Sequence, residues 1–212
     1  MVEVVRAPAK LTRSLRVIGV RDDGYHLIDA EMVSLDLADT LTFEPDGDGL
    51  EVRGIGAGVP ADDDNLVARA LQAAGRTAHI TIDKLVPAGA GLGGGSADAA
   101  AVLRWAGISD LEVAVALGAD VPFCLVGGRA QVTGIGEEVE ALPFEERTFT
   151  LLTPPVHCST PMVYRAWDDL GGPTSEGPND LEPAALHVAP ELAAWRDRLG
   201  ELTGKTPVLV HR

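Results

Sequence analysis

The sequence predicts a mixed α/β (α+β) protein, on three observations. Its first third is strand-like, a central strand feeds a glycine-rich turn that opens an alanine-rich helix, and its last third has helical composition interrupted by proline and glycine. With 212 residues and 46% apolar composition the chain can bury the core of one large domain or two small ones, and no internal repeat is visible.

Taken in order, Leu11–Val20 and His26–Leu37 read as strands joined by the turn RDDGY, and 40–44 and 49–54 continue the β-rich part. Residues 65–74 (NLVARALQAA) read as a helix with Asp64 as its N-cap and Gly75 as its stop. HITID at 79–83 alternates as a strand does. Beyond the glycine loop, 96–106 and 111–117 read as helices, and 122–126 and 129–133 as strands joined through Gly127 and Gly128. Phe149–Leu152 opens a second block in which 161–170 and 181–202 are helical apart from a break near Pro190. This divides the chain into residues 1–146 and 147–212. Val208–Val210 reads as a core strand, which leads to the expectation that the second domain is truncated at Arg212.

Lys and Arg number 17 against 32 Asp and Glu, a formal balance of −15, which disfavours nucleic acid and anionic membrane surfaces as partners. The apolar stretch 113–127 is interrupted by Asp120, and MVEVVRAPAK lacks the pattern of a secretory signal, so a cytoplasmic location is expected; separately, a monomer or homodimer is expected. Cys124 and Cys158 are too few for a disulfide framework, and His79, His157, His187 and His211 show no metal-ligand spacing.

The stretch Gly89–Gly95 holds five glycines in seven positions and runs into Ser96 and an alanine-rich helix. A strand, a glycine turn and a helix N-terminus present free amides at the positive end of a helix dipole, which makes an anion site suited to phosphate. Glycines let the backbone approach the phosphate oxygens and supply positive φ. Ser96 can cap the helix or offer its hydroxyl to a phosphate or a bound Mg²⁺. A dinucleotide fingerprint lacks its acidic residue, since Asp110 comes too early and follows a helix. A P-loop needs lysine where Gly95 stands.

The longer element at 87–100, PAGAGLGGGSADAA, resembles the phosphate loop of the GHMP small-molecule kinases. APAK at 7–10, DGYH at 23–26, NLV at 65–67, LGADVPFCL at 117–125, GIGEEV at 134–139, STPMVYRAW at 159–167 and NDLEPA at 179–184 resemble, in order, the branch that acts on 4-diphosphocytidyl-2-C-methyl-D-erythritol. That resemblance implies a ribosomal-protein-S5-like first domain with a ferredoxin-like second one. It also implies transfer of the γ-phosphoryl of ATP, with Mg²⁺, to a hydroxyl of this cytidylylated methylerythritol, a step of the non-mevalonate route to isoprenoid precursors. On the matched motifs Asp120 is the base and Lys10 the cation beside it, and a lysine favours the ionised form of a neighbouring carboxylate. Pro87, Gly89, Gly91, Leu92, Gly93, Gly94, Gly95, Ser96 and Asn65 are the expected nucleotide-binding residues. His26 is expected at the cytosine edge, Tyr25 and Tyr164 on its faces, and Thr160 and Thr12 elsewhere along the acceptor.

Homoserine-type and mevalonate-type GHMP kinases are the nearer alternatives, disfavoured because their acceptors offer no base to stack upon. A catalytically weak nucleotide-binding variant is the other alternative. It is suggested by Thr12, where that branch has asparagine, and by a chain that stops at TPVLVHR, before a third glycine motif.

Overall fold

The structure, a computed structural model, describes residues 1–55, 60–156 and 158–210. Strands β1 (Glu3–Val20) and β2 (His26–Glu44) form a long antiparallel hairpin whose ladder runs from Glu3 opposite Phe43 to Val20 opposite His26. Its turn carries Gly24 at φ 86°. The sequence suggested a later start for β1 and an interruption in β2 near residues 38–39. There the ladder pairs Pro8 with Ala38 and Ala7 with a fully buried Asp39. A proline and an inward carboxylate break the alternation that marks a strand, and a register shift after Pro8 absorbs them.

The other edge of β2 is shared by two strands. Thr40–Glu44 pairs with β4 (His79–Lys84), and Ile28–Val33 pairs with β5 (Arg129–Gly134). Strand β3 (Gly49–Gly54) extends the sheet parallel to β4, and the acidic β6 (Glu138–Leu142), absent from the sequence reading, extends it antiparallel to β5. Between the two partners, β2 residues 34–39 face the glycine-rich region and Gly127–Gly128 instead of a strand. Asp39 accepts the amides of Leu85 and Val86, and Ser34 exchanges bonds with Gly128.

Helices α2 (Gly94–Ala106) and α4 (Val121–Val126) pack on this sheet, and α1 (Leu66–Ala73) and α3 (Leu111–Leu117) pack against these helices. All residues from Ala97 to Leu103 of α2 are buried, and small alanines let the helix sit close to β1, α1 and α4. The cap of α1 is Asn65, not Asp64. Asn65 keeps an extended conformation and its side chain accepts the Val67 amide at 2.9 Å. Residues 122–126, read as a strand, are the helix α4. A short apolar run has no period to separate the two states, and Pro122 in the first turn suits the helix.

In the second block, α5 (Thr160–Asp169), α6 (Glu182–Val188) and α7 (Leu192–Thr203) break near Pro190 as expected. Val163, Trp167, Leu181 and Ala185 join the same core as Leu15 and Ile28 of the hairpin. Phe149–Leu152 and Val208–Val210 belong to neither helix nor strand, which corrects the reading of Val208–Val210 as a strand. Their apolar side chains instead line a cavity beside Leu11 and Leu92, and a strand needs a laddered neighbour that none of the described residues supplies there. His157 and His211 lie outside the described residues. No described helix is long and apolar enough to cross a membrane.

Candidate active site

The glycine loop connects β4 to α2, and its conformation depends on glycine at three places. Gly89, Gly91 and Gly93 have φ of 73°, 72° and 64°, in the left-handed region where a Cβ is strained. Gly93 is the N-cap of α2, and a Cβ there would stand 2.7 Å from Cγ of Lys10. The backbone of β1 meets the loop directly, because the Lys10 amide donates to the Leu92 carbonyl at 2.9 Å. The resulting cavity, about 500 Å³, is lined by the whole run 87–96 together with Asn65, Lys84, Asp98 and Asp120.

Lys10 is 1% exposed, and its ammonium lies 3.1 Å from Oγ1 of Thr12 and 3.4 Å from Oδ2 of Asp120. A buried ammonium needs such partners, since removing it from water costs several kcal/mol (order of magnitude). Asp120 stands at the N-cap position of α4 without a side-chain capping bond to that helix, and its carboxylate is turned to Lys10 at the wall of the cavity. The pairing of Lys10 with Asp120, expected from separate motifs 110 residues apart, is therefore present beside the phosphate-type loop.

Asn65 caps α1 and donates from Nδ2 to the Pro60 carbonyl at 2.7 Å while lining the cavity. Ser96 lies on the first turn of α2 in the same lining.

Sequence reasoning missed a second charged group under the loop. The Lys84 ammonium, at the end of β4, bonds Asp39 of β2 and Oδ2 of Asp98 in α2, the latter at 2.7 Å. Burial pushes the Asp98 carboxyl up to about 7, against the pull of Lys84, and for Lys84 the two carboxylates outweigh burial and hold its pKa high. The available signal was an acidic residue inside an apolar run, AAAV after SAD, the same feature that singled out Asp120.

The proposed base-binding residues gather at the far end of the hairpin. His26 stands 4.6 Å from the Tyr164 ring, tilted by 32°, and 5.5 Å edge-on from Trp167. Its Nε2 is 2.8 Å from Oδ1 of Asp168. Trp167 and Asp168 were not singled out from the sequence. Tyr25 is exposed at the hairpin turn, and Thr160 is the first residue of α5. His26 precedes Ser34, the ladder partner of Lys10, by eight residues. That is roughly 26 Å along a straight strand, and bulges and twist shorten it. An acceptor reaching from one group to the other is therefore elongated.

Comparison with known proteins gives a consistent picture. Residues 65–128 match the family described as GHMP kinases N terminal domain. The 4-diphosphocytidyl-2-C-methyl-D-erythritol kinase of Paracoccus denitrificans is 41% identical over 207 residues, covering 88% of this chain and 76% of its own. The enzyme of the same name from Cereibacter sphaeroides is 39% identical over 228 residues, covering 93% and 82%. A crystal structure of 4-(cytidine 5'-diphospho)-2C-methyl-D-erythritol kinase superposes with a TM-score of 0.71 at 34% identity, covering 94% of this chain and 83% of that one.

Proposed function

This chain belongs to the 4-diphosphocytidyl-2-C-methyl-D-erythritol kinase family, a branch of the GHMP kinases, and from that premise we propose how its residues divide the work. The reaction is transfer of the γ-phosphoryl of ATP to a hydroxyl of 4-diphosphocytidyl-2-C-methyl-D-erythritol, giving ADP and a phosphomonoester.

Phosphoryl transfer asks for positioning and charge neutralisation more than for covalent chemistry. Loop amides from Gly89 to Ser96, at the positive end of α2, hold the triphosphate, with Pro87 and Asn65 shaping the cavity wall. Asp120 takes the proton of the attacking hydroxyl, and Lys10 balances the negative charge that develops as the oxygen approaches phosphorus. Magnesium arrives as part of the MgATP substrate. Among the described residues no cluster of three or more His, Cys, Asp or Glu is arranged to hold a metal.

His26 reads the cytosine edge, Tyr164 and Tyr25 cover its faces, and Thr160 and Thr12 line the path between base and hydroxyl. Residues 1–146 form the ATP-binding part and 147–212 the part that completes the acceptor site. The acidic chain acts in the cytoplasm on small molecules, as a monomer or homodimer.

The single observation that carries the reading is the buried Lys10 paired with Asp120 beside a glycine loop that starts a helix. An assay coupling ADP release to NADH oxidation tests it with the cytidylylated methylerythritol, homoserine and mevalonate in turn. Turnover confined to the first acceptor supports the reading, and turnover confined to another overturns it.

A further inference from the structure

The Lys84 group has no part in the chemistry above, yet it is among the most deeply buried charge clusters of the described residues. Asp39 is fully buried, Asp98 is 3% exposed and Lys84 5% exposed. Two carboxylates and one ammonium are costly to bury, and an apolar cluster of the same volume serves stability at least as well. Their placement is therefore more informative than their energy.

The three side chains come from three elements that meet around the glycine loop. Oδ1 of Asp39 accepts the amides of Leu85 at 2.6 Å and Val86 at 2.8 Å, which fixes the backbone leaving β4 immediately before Pro87. The other oxygen of Asp39 bonds Lys84, and Lys84 reaches across to Oδ2 of Asp98, one turn inside α2. The Lys84 ammonium lies 3.1 Å from where a Cβ on Gly94 would stand, so it fills the space directly under the first residue of that helix. Both ends of the loop are thus tied to one ammonium, and the loop between them spans a fixed gap. Oδ1 of Asp98 is buried with no hydrogen-bond partner, although Asp98 and Lys84 both line the nucleotide cavity. A buried oxygen left unbonded costs free energy that a purely structural brace would not need to bear.

We infer that Lys84, Asp39 and Asp98 are positioning residues for the nucleotide, setting the span of the phosphate loop so that its amides converge on the triphosphate. This rests on the kinase reading above. The group acts on ATP through the loop and touches neither the acceptor nor the Lys10–Asp120 pair. Its removal therefore affects ATP and spares the acceptor.

Asp98→Ala tests this with little risk to folding. It leaves Lys84 and Asp39 as a neutral pair, and alanine suits a helix interior. The expected result is a KM for ATP raised about tenfold, with the acceptor KM within twofold of the parent. Asp98→Asn, whose amide oxygen still accepts from Lys84, should keep the ATP KM within threefold. Calorimetry with a non-hydrolysable ATP analogue should show the same loss of affinity for Asp98→Ala. An ATP KM within twofold of the parent in Asp98→Ala overturns the inference, as does an equal rise for both substrates, the mark of general loosening. If Asp98→Ala does not fold, Lys84→Met combined with Asp39→Asn and Asp98→Asn, which buries no charge, carries the same expectations. A parent chain that fails to use ATP refutes the kinase reading itself, whereas an active parent matched by Asp98→Ala refutes only this inference.

Discussion

The Lys10 ammonium lies 3.4 Å from the Asp120 carboxylate, which lines the cavity of the glycine loop. The Lys10 amide also donates to the Leu92 carbonyl and its ammonium to the Thr12 hydroxyl, so both its backbone and its charged end have fixed partners. Such preorganisation lets a single fixed charge act in the transition state without reorganisation.

Asp120→Asn keeps the shape of the side chain and removes its capacity to take a proton. The expected outcome is a fall in kcat of about 10²- to 10⁴-fold, with nucleotide affinity by calorimetry within threefold of the parent. Undiminished turnover would remove Asp120 from its role as base.

Gly93→Ala places a methyl group at φ 64°, 2.7 Å from Cγ of Lys10. The backbone strain alone costs about 1–2 kcal/mol, and the contact displaces Lys10. Both kcat and ATP affinity are expected to fall at least tenfold, with a melting temperature lowered by several degrees. Gly107→Ala is a control at the other end of α2, where φ is also positive but no atom stands within 4 Å of the added Cβ. It should lose stability and keep its kinetics.

Tyr164→Ala takes away the ring that packs on His26 at 4.6 Å. The acceptor KM should rise about tenfold, in line with roughly 1–3 kcal/mol per stacked base, while the ATP KM stays within twofold. Equal effects on both substrates would mean that Tyr164 serves packing only.

These sites differ in how far they could be read in advance. The glycine loop was legible because free amides at a helix start and glycine at positive φ are local requirements, written in consecutive residues. Lys10 and Asp120 were legible as members of motifs, and their contact required the fold. The error at 122–126 came from a short apolar run with no period, whose pattern suits strand and helix alike. Lys84 and Asp39 were invisible, because a lysine closing an alternating strand looks like a solvated end until Asp39 and Asp98 are brought to it from 45 residues before and 14 after.

Burial raises the Asp98 carboxyl from 3.8 to about 7, so the folded chain holds a proton there that the unfolded chain releases. The stabilising contribution is therefore full below about pH 4 and is lost as pH rises through about 7. Relative to Asp98→Asn, whose amide does not titrate, the parent's unfolding free energy should decline across this window by on the order of a few kcal/mol. Urea titrations of both proteins at pH 4.5, 6 and 8 check this, and parallel profiles would contradict it.

The most direct test of the kinase assignment is ³¹P NMR of the products formed from MgATP and 4-diphosphocytidyl-2-C-methyl-D-erythritol. The account expects ADP and one new phosphomonoester resonance on the acceptor, in equal amounts, appearing with the parent chain and absent with Asp120→Asn. Release of inorganic phosphate without phosphorylated acceptor, or equal product from the two proteins, would contradict it.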